Sequence, residues 1–145
     1  MKILQVHNKY IKRGGEESVI EEERRVLEKN GHTVIQFIKD SKEIEGFTKL
    51  ELVGLLLSQR RSNIIRDELE QLIIAEQPDI CHVHNVYPLI TPVVYEVCHN
   101  KALPVVQTFH NYKMICTNSL LFKEGEVCEL CVSKSLYNSI KYKCY

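Results

Sequence analysis

The chain has no surplus of charge of either sign: 19 Lys plus Arg balance 19 Asp plus Glu, for a formal net charge of zero. Domains that bind nucleic acid carry a basic excess, so no nucleic-acid partner is expected. Long apolar runs are missing as well. The longest, Leu50–Leu57, is broken by Glu51 and falls far short of the roughly 20 residues a membrane-spanning helix needs. Tryptophan is absent, proline and glycine number only four and six, and no internal repeat or low-complexity tract occurs. What is present is ordinary globular material. Hydrophobic residues make up 44% and charged residues 26% of the 145, enough for a single domain that buries about two thirds of its unfolded surface.

The opening Met1–His7 has one basic side chain and a very short apolar run. It reads as a first strand and not as a signal peptide. A cytoplasmic chain with reduced thiols is therefore expected, and six cysteines there suggest metal ligands or buried thiols before disulfides.

The order of elements predicts an α/β fold. Ile3, Leu4 and Val6 form a strand, Asn8–Gly15 a loop, and Glu16–Asn30 a helix with Val19, Ile20, Val26 and Leu27 at helical spacing. Gly31 stands where a left-handed cap is wanted, and His32–Ile38 is a second strand. Asp40–Gly46 reads as loop. Thr48 and Glu51 make a capping box for a helix to about Leu57. Another helix is predicted over Ser62–Gln77, with Ile65, Leu69, Leu72 and Ile73 on one face and Pro78 stopping it. Ile80–Val83 is a third strand. Thr91-Pro92 starts a helix to about Asn100, and Pro104 opens a fourth strand, Val105–Phe109. Strands alternating with helices imply a parallel sheet with helices on both faces. Beyond residue 112 the character changes to short pieces around Gly125, and Ser133–Lys143 is expected as a final helix.

Open parallel sheets bind ligands beyond the carboxyl ends of their strands. There the chain places His7 and Asn8, His84 and Asn85, and His110, Asn111 and Tyr112. One histidine at a strand end is commonly just a solvated loop residue; three on one edge favour a ligand site. His82 alternates with His84 and is expected to face a packed helix. Gly14-Gly15 precedes the first helix, where bare backbone and free N–H groups can meet a ligand. It is neither a dinucleotide fingerprint nor a Walker loop. Glu16 and Glu17 suit the helix dipole but would repel a phosphate unless turned aside.

Five segments in register carry a resemblance: the opening strand, Arg13-Gly14-Gly15-Glu16-Glu17, Asn30–Val34, Pro78–Asn85 and Leu103–Tyr112. Together they resemble the N-terminal domain of family 4 glycosyltransferases, retaining enzymes of the GT-B architecture. The resemblance implies a Rossmann-like acceptor-side domain over residues 1–112 and a cysteine-rich segment over 113–145. A C-terminal domain holding the nucleotide-sugar donor would be missing, which makes this chain half an enzyme. It further implies that Gly14-Gly15 reach the cleft near the donor diphosphate or acceptor and that His110 contacts the donor sugar and assists transfer. His84, Asn85 and Asn111 would line the site. Transfer would retain the anomeric configuration, without a metal at the diphosphate, to a carbohydrate or lipid-linked sugar of a cell-surface polysaccharide or glycolipid. Epimerases share the architecture and remain a third class.

Cys116, Cys128, Cys131 and Cys144 are spaced C-x11-C-x2-C-x12-C. The Cys128-x2-Cys131 knuckle suits two thiolates on one tetrahedral zinc, with the outer pair completing four ligands. The competing reading is incidental thiols, or two that pair on oxidation. A zinc-stabilised α/β module binding a sugar or protein without catalysis is the alternative function. Cys81 and Cys98 read as small core residues. Phe47–Leu57 followed by Arg60-Arg61 offers a basic-edged helix for membrane-surface contact, against which stands an ordinary core helix with a solvated Arg pair.

Overall fold

A computed structural model describes residues 1–11, 14–56 and 59–144, with side chains at 49, 52, 56 and 59–61 left aside. Arg13 and the side chains of Arg60 and Arg61 thus lie outside the described residues. The chain forms two compact units, residues 1–108 and 109–145.

In the first unit, β1 (Lys2–Lys9) leads to α1 (Gly15–Lys29) and β2 (Thr33–Asp40). After a 3-10 turn over Ser41–Ile44 come α2 (Lys49–Leu56), α3 (Gln59–Glu76), β3 (Ile80–Val83), α4 (Val93–Asn100) and β4 (Val105–Gln107). The four strands make one sheet in the order β2-β1-β3-β4, and every pairing is parallel. Parallel neighbours need a crossover between them, which is why β1, β2 and β3 each lead into helix before the next strand.

β1 is central, and residues Ile3–Asn8 are all buried. Side chains alternate along a strand, so β1 and β3 present two different faces. Leu4 and Val6 join Cys81 and Val83 in an apolar core. Ile65, Leu69 and Ile73 of α3, one helical turn apart, and Val94, Val97 and Cys98 of α4 close that core. The Cys81 and Cys98 thiols meet inside it, and the hydrogen bond to Cys98 together with burial pushes the Cys81 thiol upward. The opposite face is polar. Gln5 donates to the Ile20 carbonyl of α1 at 3.4 Å, and Gln36 of β2 donates to Gln5 at 2.8 Å.

The Thr48–Glu51 box forms reciprocally: Glu51 accepts from the Thr48 N–H at 2.7 Å and its own N–H donates to the Thr48 hydroxyl at 3.3 Å. Asp40–Gly46 is not plain loop. The Asp40 carboxylate accepts from the Lys42 N–H at 2.9 Å and caps the 3-10 turn. Strand four stops at Gln107, two residues before its expected end.

The second unit contains a hairpin of β5 (Phe122–Lys123) and β6 (Glu126–Val127) and two short helices, α5 (Leu130–Ser133) and α6 (Tyr137–Lys141). Glu124 and Gly125 both take positive φ at the hairpin turn, the conformation that favours glycine. One final helix was expected over Ser133–Lys143. The structure breaks it, because the Ser135 hydroxyl accepts the Tyr137 N–H at 3.2 Å and restarts the chain there. Among the described residues of this unit, only Cys116 and Ser139 are buried. No helix of the described residues is long and apolar enough to cross a membrane.

Candidate functional site

The order β2-β1-β3-β4 puts a switch point between β1 and β3, since the chain leaves β1 toward one side and fills the other later. At such a point the loops after the two strands diverge and leave a crevice. Asn8 and Asn85 brace it. The Asn8 N–H donates to the Asn85 carbonyl at 2.7 Å, and the Asn85 amide returns a bond to the Asn8 carbonyl at 2.9 Å. The Asn8 side chain accepts the Leu89 N–H at 2.8 Å and donates to the Ser41 hydroxyl at 2.7 Å. Much of the Asn85 amide is thus engaged in holding the two loops together.

The glycine loop follows β1. Glu17 turns back onto it, accepting from the Gly14 N–H at 2.7 Å and the Tyr10 N–H at 3.2 Å. Burial by itself would raise the Glu17 carboxyl, but the N–H groups of Gly14, Glu17 and Tyr10 hold it below its ordinary value. One of the two acidic residues that would oppose an anion is thus turned aside. Gly14 has φ −114° and ψ −175°, a backbone any residue adopts. A Cβ at Gly15 would meet nothing within 4 Å, and its φ is not left-handed. The chain's own sterics do not call for glycine at the start of α1.

The histidines depart from the expectation of an open edge. His84 is 4% and His7 0% exposed. Both lie on the polar face of the sheet under α1, with ring centroids 6.3 Å apart. Alternation explains it: Gln5 and His7 on β1, and His82 and His84 on and just after β3, all point the same way. His82 does face a packed helix, and it brings His84 with it, the two ring centroids 4.3 Å apart and the planes tilted by 38°.

Sequence reasoning missed their common partner, Glu23 of α1. Its Oε2 lies 3.0 Å from His84 Nε2 and 3.4 Å from His82 Nδ1, and it also accepts from the Gln5 amide at 3.0 Å. His82 Nε2 is 2.8 Å from the Thr108 hydroxyl. Glu23, His82 and His84 are, among the described residues, the group whose ligand atoms fall within 4.8 Å of one another as a metal would need. The Gln5 amide and the two imidazole nitrogens already crowd the one carboxylate oxygen, so the trio works as a bracket fastening α1 to the sheet. Only the i, i+2 spacing of the two histidines could have pointed to it.

In the second unit His110 and Asn111 are half-buried, and Asn111 accepts the Lys113 N–H at 2.9 Å, forming a turn. Cys128, Cys131 and Cys144 line one cavity of about 360 Å³. Cys116 donates its S–H to the side-chain amide oxygen of Asn118 at 2.8 Å. All four thiols are free.

A parallel sheet in the order β2-β1-β3-β4 with helices between its strands and a glycine-opened first helix defines a Rossmann-like α/β domain. The family model for glycosyltransferase family 4 matches residues 13–122, most of the chain. The protein belongs to that family, and its function is of the glycosyltransferase type. No curated protein matches the sequence significantly.

Proposed function

We propose that this chain supplies the acceptor-side half of a retaining glycosyltransferase. In this reading, a sugar passes from a nucleotide-sugar to a hydroxyl of a carbohydrate or lipid-linked sugar acceptor, and a nucleoside diphosphate leaves. The donor would be held chiefly by a second domain of the GT-B type. The observation that carries the reading is the start of α1. Gly14 and Gly15 offer bare backbone that the fold itself does not require, and Glu17 is folded back onto the Gly14 and Tyr10 N–H groups. A ligand that must approach main chain closely is the reason for such glycines.

His110 is assigned to the donor sugar, assisting departure of the diphosphate as positive charge develops on the ring, with Asn111 beside it in sequence. Asn85 borders the acceptor crevice. His84 supports that crevice from beneath α1 through Glu23 and is not itself a contact. The test is steady-state kinetics on the enzyme carrying its donor domain. His110→Ala is expected to lower kcat by about 100-fold or more while the protein keeps its fold. Near-normal turnover would remove His110 from the reaction.

A further inference from the structure

The second unit is short of the usual source of stability. Among its described residues only Cys116 and Ser139 are buried. Its large apolar side chains, among them Phe109, Tyr112, Leu120, Val127 and Tyr137, are exposed. Its helices have four and five residues and its strands two each. Something other than an apolar core must hold this piece.

Four of its residues are cysteines, and three, Cys128, Cys131 and Cys144, converge on a single cavity. The rim is acidic, with Glu124, Glu126 and Glu129 against one cation, Lys123, and Lys123 is already engaged by the Tyr142 carbonyl at 2.6 Å. Soft sulfur donors in a negative setting suit a thiophilic divalent cation.

We propose that Cys128, Cys131 and Cys144 bind one zinc ion as thiolates, with Cys116 as fourth ligand, and that this metal staples residues 109–145. Zinc–sulfur bonds of about 2.3 Å place tetrahedral sulfurs about 3.8 Å apart. No three described cysteines bring their sulfurs within 4.8 Å of one another, so binding draws them inward. The Cys116 thiol gives up its bond to Asn118 to join. Each thiol that ligates releases its proton to solvent, and no oxidant or reductant is needed.

The test uses the full chain, purified under reducing conditions and desalted. About one zinc per chain is expected, and cobalt(II) put in its place should give thiolate-to-metal charge-transfer absorption typical of a tetrahedral site. Cys128→Ser with Cys131→Ser should abolish both signals, whereas Cys98→Ala, in the other unit's core, should leave them intact. Chelator should raise the rate of proteolytic cutting within 109–145 by about tenfold, with cutting of 1–108 unchanged. Fully reduced protein without metal would overturn the proposal. So would disulfides among these cysteines in freshly isolated protein, or metal retained after all four are changed to serine, which would point to Glu23, His82 and His84 instead.

Discussion

The two units of this chain solve the same problem by different means. Residues 1–108 pack a central strand between an apolar layer and a polar one, and Leu4, Ile65, Leu69 and Val97 are fully buried there. Residues 109–145 hide almost nothing, and their order rests on local turns such as Cys116 N–H to the Tyr112 carbonyl and Cys128 N–H to the Leu121 carbonyl. Burial scales with chain length, whereas turn chemistry and cross-links do not. A small unit can hold a fixed shape only by the second route, and its sensitivities should differ accordingly.

Substitutions separate the two regimes. The largest effect is expected from Leu69→Ala, which empties a fully buried position between α3 and the sheet and should cost about 2–5 kcal/mol in denaturant unfolding. A loss below about 1 kcal/mol would mean that the core relaxes freely and that the contrast is overstated.

A middle effect belongs to Glu17. Its carboxyl ionises below the ordinary 4.5 in the folded chain, so its contribution is complete above that value and fades as pH falls through the lowered one. Wild type should exceed Glu17→Gln by about 1 kcal/mol at neutral pH, and the gap should close in acid. A gap that persists at low pH would place the effect in packing and not in the charged cap.

The smallest is Val127→Ala in the second unit. That side chain is 75% exposed, and the change should stay within about 0.5 kcal/mol. A larger loss, read as faster proteolysis of 109–145, would reveal an apolar contact holding this unit and weaken the case for a metal staple.

Much of the first unit was readable because its signals are local. Ile80–Val83 has β-branched residues at both ends and follows a helix-stopping proline, and Thr48 with Glu51 three residues on declares a cap. The alternation of His82 and His84 was equally local. Yet the residue that joins them, Glu23, lies about 60 positions earlier, on α1. Pairing across that distance leaves no periodic trace. Ser133–Lys143 misled for the opposite reason: its apolar spacing suits one helix, and a single serine hydroxyl divides it. The Gly14-Gly15 loop was visible as a glycine pair, but only the structure shows that no steric demand of the chain explains it.

The bonds between Asn8 and Asn85 join residues 77 positions apart, and β1 makes its second ladder only with a strand that begins at Ile80. During synthesis the first strand must therefore wait, paired on one side only, until most of the unit has emerged. Closing so long a loop is entropically costly and slow. The crevice at the switch point is consequently among the last features to exist. A fragment ending ahead of β3 would carry the glycine loop and α1 and still lack the switch point between β1 and β3.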